Sequence, residues 1–380
     1  MTARRRALRG LCGIGLTLGL LAGCGSSMSP SASSPGPAPV VSDQSLMAGA
    51  GHACRATATS DPTIGWSQLH NPIFAEATAG VKDQALIWAG SRWHLLFSEV
   101  TADPTMPDGV RWNIASATSP DLVRWSAPTP WPRQSGVLGV ASPDIVRSPG
   151  GGYLVTYQSD PGAAGPSHIQ SRLYFRTSDD LTTWSAPHPL APSLAPAAGE
   201  RMIDGALVST GHQLLLGFKY SSPAQADTFE IARSTTGRPD GPWQLVGRPD
   251  ITVNGGTVEN YEFVHAAGQW HLVATSDNLD QPWLFTLAGD PATAAGWLRW
   301  TGGYQLDIPG EAFNSGSGIS SIGYEHANSA YLCDDSSGPG RFFYLLYAGS
   351  HELAQFGGWG HAVIGVARST DLSHWQVPPN

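Results

Sequence analysis

The sequence predicts an all-β protein built as a five-bladed β-propeller. Three observations predict it: a composition rich in turn formers, a Trp-ended motif that recurs along the chain, and an apolar hairpin ahead of each copy. The 380 residues are 41% hydrophobic and only 13% charged, with 45 Gly, 30 Pro and 14 Trp. That balance suits many short strands around a large core and argues against a helical bundle or a disordered chain.

The repeat emerges when the tryptophans are aligned. "SATSPDLVRW" (116–125), "RTSDDLTTW" (176–184) and "ARSTDLSHW" (367–375) share a Ser/Thr, an Asp-Leu and a Trp at one spacing. "ARSTTGRPDGPW", ending at Trp243, and "TLAGDPATAAGWLRW", ending at Trp300, are looser copies. Each follows a strand-like run, and each run follows an apolar hairpin: Ala85 to Phe97, Ile145 to Tyr157, Ala206 to Phe218, Phe263 to Ala274, and Ala330 to Tyr347. Repeats of roughly 50 to 60 residues with four short strands each read as propeller blades. Five of them fill residues 63–380, with almost no helix expected. A β-sandwich would explain the strands but not the repeat.

The N-terminus lies apart from this domain. Arg4, Arg5, Arg6 and Arg9 precede the apolar stretch "LCGIGLTLGLLAGC", which is too short and glycine-rich for a stable span. Residues 1–24 end in Leu21-Ala22-Gly23-Cys24, which resembles the bacterial lipoprotein signal, with Cys24 as the implied lipidation site. An ordinary secretory signal is the alternative. Residues 25–62 are rich in Ser, Pro, Gly and Ala and read as a flexible tether. The expected location is therefore outside the cytoplasm, on the cell membrane through a lipid anchor alone.

Cys54 and Cys333 are the two cysteines left in the exported domain. Two leftover thiols in an oxidising compartment favour one disulfide, here reinforcing ring closure, while two free buried thiols are the alternative. The net charge of −9 leaves no basic field for a phosphate backbone, which excludes nucleic acid and suits a neutral glycan.

Acidic residues recur where the blades begin: Asp83, Asp144, Asp204 and Glu259. The first strand of a blade lines the central channel, so these carboxylates are expected to converge at one mouth of it. Such convergence is costly and marks chemistry or a metal. Two carboxylates across a sugar-sized gap are what glycoside hydrolysis needs, one protonated to serve the leaving oxygen and one ionised.

Here the sequence resembles a known group. "NPIFAEATAGVKDQALIWAGSRWHLLFS" resembles the first blade of the five-bladed glycosidases of families 43 and 62, with "GVKD" and Trp93-His94 closer to family 62. "MIDGALV" and "VENYEFVHAAGQWHLVAT" are similar to their third- and fourth-blade segments. The resemblance implies Asp83 as general base, Glu259 as general acid, and Asp204 as the residue whose charge raises the acid's pKa. Lys82, Asp144, Tyr261 and His326 are the expected substrate-binding residues. Gln84 stands where relatives carry Pro, and Asn260-Tyr261 where they carry Gly-Pro or Ala-Pro.

The implied activity is that of an inverting hydrolase of arabinofuranose- or pentose-containing glycans, α-L-arabinofuranosidase first. Arabinan, arabinoxylan or a cell-surface polysaccharide is the expected partner. No cofactor is required, although His326, in "GYEHANSAY", resembles a channel His that holds a central cation such as calcium or a water. A structural, hydrogen-bonded His326 is the alternative.

Each carboxylate has a plainer reading. Asp83 could be a solvated strand entrance beside Lys82, and Asp204-Gly205 a turn. Glu262 competes with Glu259 but by strand alternation belongs to the opposite face. A catalytically silent propeller that binds a glycan or a protein is the competing function. A sialidase fits less well, because the Trp motifs lack the Gly before Thr-x-Trp and the chain shows no arginine cluster.

Overall fold

The computed structural model describes residues 64–379, apart from 107–108, 149–150, 161–170, 198, 211–212, 278–280, 315–324, 336–341 and 351–360. The signal (1–24), the tether (25–62), Cys24 and Cys54 lie outside the described residues.

Five antiparallel sheets follow one another along the chain. Blade I comprises β1 (Gly80–Ala89), β2 (Arg92–Ala102), β3 (Val110–Ser119) and β4 (Thr129–Pro130). Blade II comprises β5 (Gly139–Arg147), β6 (Tyr153–Asp160), β7 (Leu173–Ser178) and β8 (His188–Pro189). Blade III comprises β9 (Arg201–Ser209), β10 (Leu214–Ser222), β11 (Gln225–Ser234) and β12 (Trp243–Gly247). Blade IV comprises β13 (Val258–Ala266), β14 (Gln269–Ser276), β15 (Pro282–Leu287) and β16 (Trp300–Gln305). Blade V comprises β17 (Glu325–Asp335), β18 (Phe342–Ser350) and β19 (Val363–Ser369). Helix among the described residues is limited to short 3-10 turns, as the composition predicts.

Blade V differs from the expected four strands, and the difference closes the ring. Its outer position is shared by the two ends of the domain. Arg368 and Gln376 exchange backbone hydrogen bonds, as do Phe74 and Ile364. Asn71 reinforces the join: its side chain accepts from Val366 N (2.9 Å) and donates to Val366 O (3.0 Å) and to Glu311 Oε2 (2.8 Å). Tyr347 also donates to Glu311 (2.6 Å). Closure among the described residues is thus a backbone seam with an asparagine clasp. Cys333 is fully buried in β17.

The recurring Trp motif proves to be a turn that ends the third strand of three blades. In blade II, Asp180 Oδ1 accepts from the amides of Thr182 (2.8 Å) and Thr183 (2.7 Å), and Asp121 and Asp371 do the same in blades I and V. The following leucine is left-handed each time, with φ of 63° at Leu122, 61° at Leu181 and 66° at Leu372. That conformation is costly for a branched side chain, but it turns each leucine into the core, where all three are buried. The core lies in the wedges between neighbouring blades, with Trp93, Trp297, Tyr157 and Phe263 among its largest side chains.

Candidate active site at the channel mouth

Every innermost strand breaks its ladder at an equivalent place, and β17 also breaks it between Glu325 and Asn328. The register shifts between Lys82 and Ala85 in β1, between Ala141 and Asp144 in β5, and between Ile203 and Ala206 in β9. It shifts again between Glu259 and Glu262 in β13 and between Asn328 and Tyr331 in β17. At each bulge one non-glycine residue is left-handed: Asp83 (φ 51°), Ser142 (51°), Asp204 (53°), Asn260 (49°) and Ser329 (52°). Such residues are uncommon, and five at equivalent positions re-aim the strands around one ring.

These five residues form the upper ring of the channel. Two residues further along lie Ala85, Asp144, Ala206, Glu262 and Tyr331, the lower ring. Apart from the two alanines, both rings line a narrow central cavity of about 40 Å³, enough for water-sized occupants.

The bulges correct the sequence-based alignment of the acids. Asp83 and Asp204 are equivalent, but the blade IV equivalent is Asn260 rather than Glu259, and the blade II equivalent is Ser142 rather than Asp144. Asp144 lies one layer deeper, beside Glu262, whose pKa is driven well above the carboxylate range by burial and then by the Asp144 charge. Strand alternation put Glu262 on the face away from the channel. The bulge at Asn260 instead brings it into the channel floor, where its carboxylate accepts from Leu332 N (2.8 Å).

Other candidates take less expected places. Asp204-Gly205 is no turn but a bulge inside β9, where a Cβ on Gly205 would stand 2.8 Å from Leu173 Cδ1. Lys82 is buried at the blade I bulge, close enough for its charge to act on Glu259. Tyr261 is a wall residue: its ring stacks on Phe229 (centroids 4.1 Å) and its hydroxyl donates to Val258 O (2.5 Å). His326 lies on β17, and its side chain falls outside the described residues. Among the described residues no three His, Cys, Asp or Glu side chains are grouped to hold a metal ion.

Asn260 joins the two ring carboxylates. Its Nδ2 donates to Asp83 Oδ1 (3.3 Å) and its backbone N to Asp204 Oδ2 (3.5 Å). Ser329 Oγ also donates to Asp83 Oδ1 (2.7 Å). Gln84, in place of the proline of relatives, donates from Nε2 to Ser329 O (2.6 Å) and so ties blade I to blade V.

A second rule of the fold exposes a residue that the motif search missed. The second-strand residues Ser98, Gln158, Lys219 and Thr275 each pair with the residue just before a ring residue. Three of them cap the next blade: Ser98 Oγ accepts from Ser142 N (2.8 Å), Gln158 Oε1 from Asp204 N (2.7 Å), and Thr275 Oγ1 from Ser329 N (2.9 Å). Lys219 has no acceptor to offer. The Asn260 amide therefore turns to Asp204, and the Lys219 ammonium takes Glu259 (2.7 Å), Asp277 (2.9 Å) and Asp227 (3.3 Å). The one signal for it in the sequence is a lone lysine in the apolar strand "LLLGFKY", since a buried ammonium must find carboxylates.

This arrangement reverses the expected electrostatics. Burial pushes Asp204 up to about 7, aided by the charge of Glu259. Burial also acts to raise Glu259, but the charge and hydrogen bond of Lys219 outweigh it and hold Glu259 below the ordinary range. Lys219 itself would be lowered by burial, yet its carboxylates lift it above the usual lysine range. Between the two, a proton is therefore favoured on Asp204 and the negative charge on Glu259. Two coupled carboxyls of this kind titrate as a pair.

Solved structures with the same architecture give this mouth a context. An α-L-arabinofuranosidase from Lactobacillus brevis superposes with a TM-score of 0.54 at 12% identity, covering 82% of this chain and 97% of its own. The chain shares its fold. An α-L-arabinofuranosidase from Podospora anserina, in complex with cellotriose, gives 0.51 at 14% identity, covering 84% of this chain and 96% of its own. A protein from glycoside hydrolase family 130, a family of mannoside phosphorylases that contains hydrolases of β-1,2-mannosidic linkages, gives 0.53 at 14%, covering 79% and 87%. No protein-family model matches the sequence, and no curated protein matches it.

Proposed function

We propose that the protein is an exported, lipid-anchored glycoside hydrolase that inverts at arabinofuranose or another pentose, with α-L-arabinofuranosidase activity as the first expectation. The observation that carries this reading is Asn260, which holds Asp83 and Asp204 on one channel mouth beside Glu259. In this reaction Asp83 accepts a proton from a water whose oxygen bonds to the anomeric carbon. The glycosidic oxygen leaves with the second proton, supplied by the Asp204–Glu259 pair. Glu259 donates it in the resemblance, and the proton resting on Asp204 reaches it within the pair. Lys219 positions Glu259 while the site is empty.

The arabinofuranosidase neighbours and the cellotriose complex support a glycan ligand. The mannoside-acting neighbour shows that this fold leaves the sugar open. The ion pair between Lys219 and Glu259 favours a second reading, a glycan-binding propeller without turnover, because it keeps the expected acid ionised. Incubation of the exported domain with p-nitrophenyl furanosides and pyranosides, arabinan and arabinoxylan separates the two. Release of arabinose or xylose is expected, and binding without release supports the silent propeller.

A further inference from the structure

A second cavity, of about 620 Å³, opens between blades I and II. Its size falls in the range of small-molecule sites, roughly 300 to 1,000 Å³. It flanks the channel mouth: Glu99 on its wall pairs with Val81, two residues before Asp83, and Val140 stands two residues before Ser142.

The lining is amphipathic and nearly neutral. Arg111 is held by Asp103 (Nε to Oδ2, 2.7 Å), so it presents fixed donors and little net charge. Asn113 donates to Trp131 O (3.2 Å), and Gln134 accepts from Tyr157 OH (2.8 Å), which fixes both amides in place. Half-buried Trp112 and exposed Leu138 supply apolar surface.

Trp131, on the cavity wall and 6% exposed, adds an aromatic edge to this lining. Fixed amides, a guanidinium and a tryptophan face together suit a ring with apolar faces and a rim of hydroxyls.

We propose that this cavity is a subsite for a neutral oligosaccharide, holding the glycan chain that continues from the sugar in the channel mouth. The proposal rests on the glycosidase reading for its substrate class, but it can be tested without turnover. The probes are xylotriose, cellotriose and arabinotriose, titrated by calorimetry into the full exported domain carrying Asp83→Asn. Binding of at least one is expected, weakened about tenfold by adding Trp112→Ala and similarly by Val137→Trp, which fills the cavity from its rim. Melting curves confirm that each variant is folded. No binding by any probe, or binding that both folded variants leave intact, overturns the subsite. Trp112-dependent binding by a protein that cleaves no aryl glycoside keeps the subsite and overturns the hydrolase.

Discussion

Lys219 Nζ lies 2.7 Å from Glu259 Oε2, at the strand position where Ser98, Gln158 and Thr275 instead cap the neighbouring blade. The fold keeps one capping rule and breaks it beside the expected acid. Lys219→Gln restores an acceptor of the Gln158 type and removes the charge that holds Glu259 down. If the pair donates the proton, the alkaline limb of the pH–rate profile moves up by about one unit, because the acid stays protonated to higher pH. An unmoved limb in the folded variant means that Lys219 does not control the donor.

Removing Lys219 also leaves Glu259, Asp227 and Asp277 without their shared cation. Breaking a buried ion pair costs about 3 to 5 kcal/mol, so Lys219→Met is expected to lower the urea midpoint strongly at pH 7.5. At pH 4 protonation of the three carboxyls recovers part of that loss. An equal loss at both pH values would contradict the electrostatic account.

The wild-type protein is expected to become less stable as pH rises from about 4 to 7.5. Asp204 titrates near 7 when folded, against an ordinary value of 3.8, and burial with the nearby Glu99 lifts Glu76 to about 7 as well. In that window the folded state binds more protons than the unfolded chain, so raising the pH favours unfolding. The lowered pKa of Glu259 acts in the opposite sense, but only below about pH 4.5. Asp204→Asn mimics the protonated form and should flatten the slope of urea midpoint against pH.

Ring closure depends on Asn71 at the seam between the chain ends. Asn71→Ala strands the Val366 amide and removes a partner of Glu311, and such losses cost about 1 to 3 kcal/mol. A lower melting temperature is expected, and an unchanged one would show that the backbone pairing of Phe74 with Ile364 suffices.

The Cys54–Cys333 disulfide expected from the sequence would be a further closure of the ring. Mass spectrometry of exported protein, alkylated without reduction, should find a Cys54–Cys333 cross-linked peptide and no alkylated Cys333. Alkylation of both cysteines excludes the bond.

Much of this was legible in the sequence, and the misses have one physical source. Blade number and hairpins follow from apolar alternation and the Trp motif, because period-2 patterning and Asp-capped turns are local. The positions of Asp83 and Asp204 at the mouth followed too. The ranking of Glu259, Asn260 and Glu262 did not, because one left-handed residue shifts every later side chain in the strand to the other face. Lys219 was hidden for another reason: its partners Asp227, Glu259 and Asp277 come together only when blades III and IV pack. The closing seam at Asn71 is equally non-local, joining residues almost 300 positions apart.

The central claim is that Asp83 is the base of a hydrolytic site. Asp83→Asn keeps an oxygen acceptor for Ser329, suits a left-handed φ of 51°, and relieves repulsion with Asp204. Turnover of an arabinofuranosyl or xylosyl substrate and the melting temperature, measured on the same purified variant, test the claim together. The account predicts activity lowered about 10² to 10⁴-fold with a melting temperature equal to or above wild type. Undiminished turnover in the folded variant would contradict it and leave Asp83 a strained strand entrance.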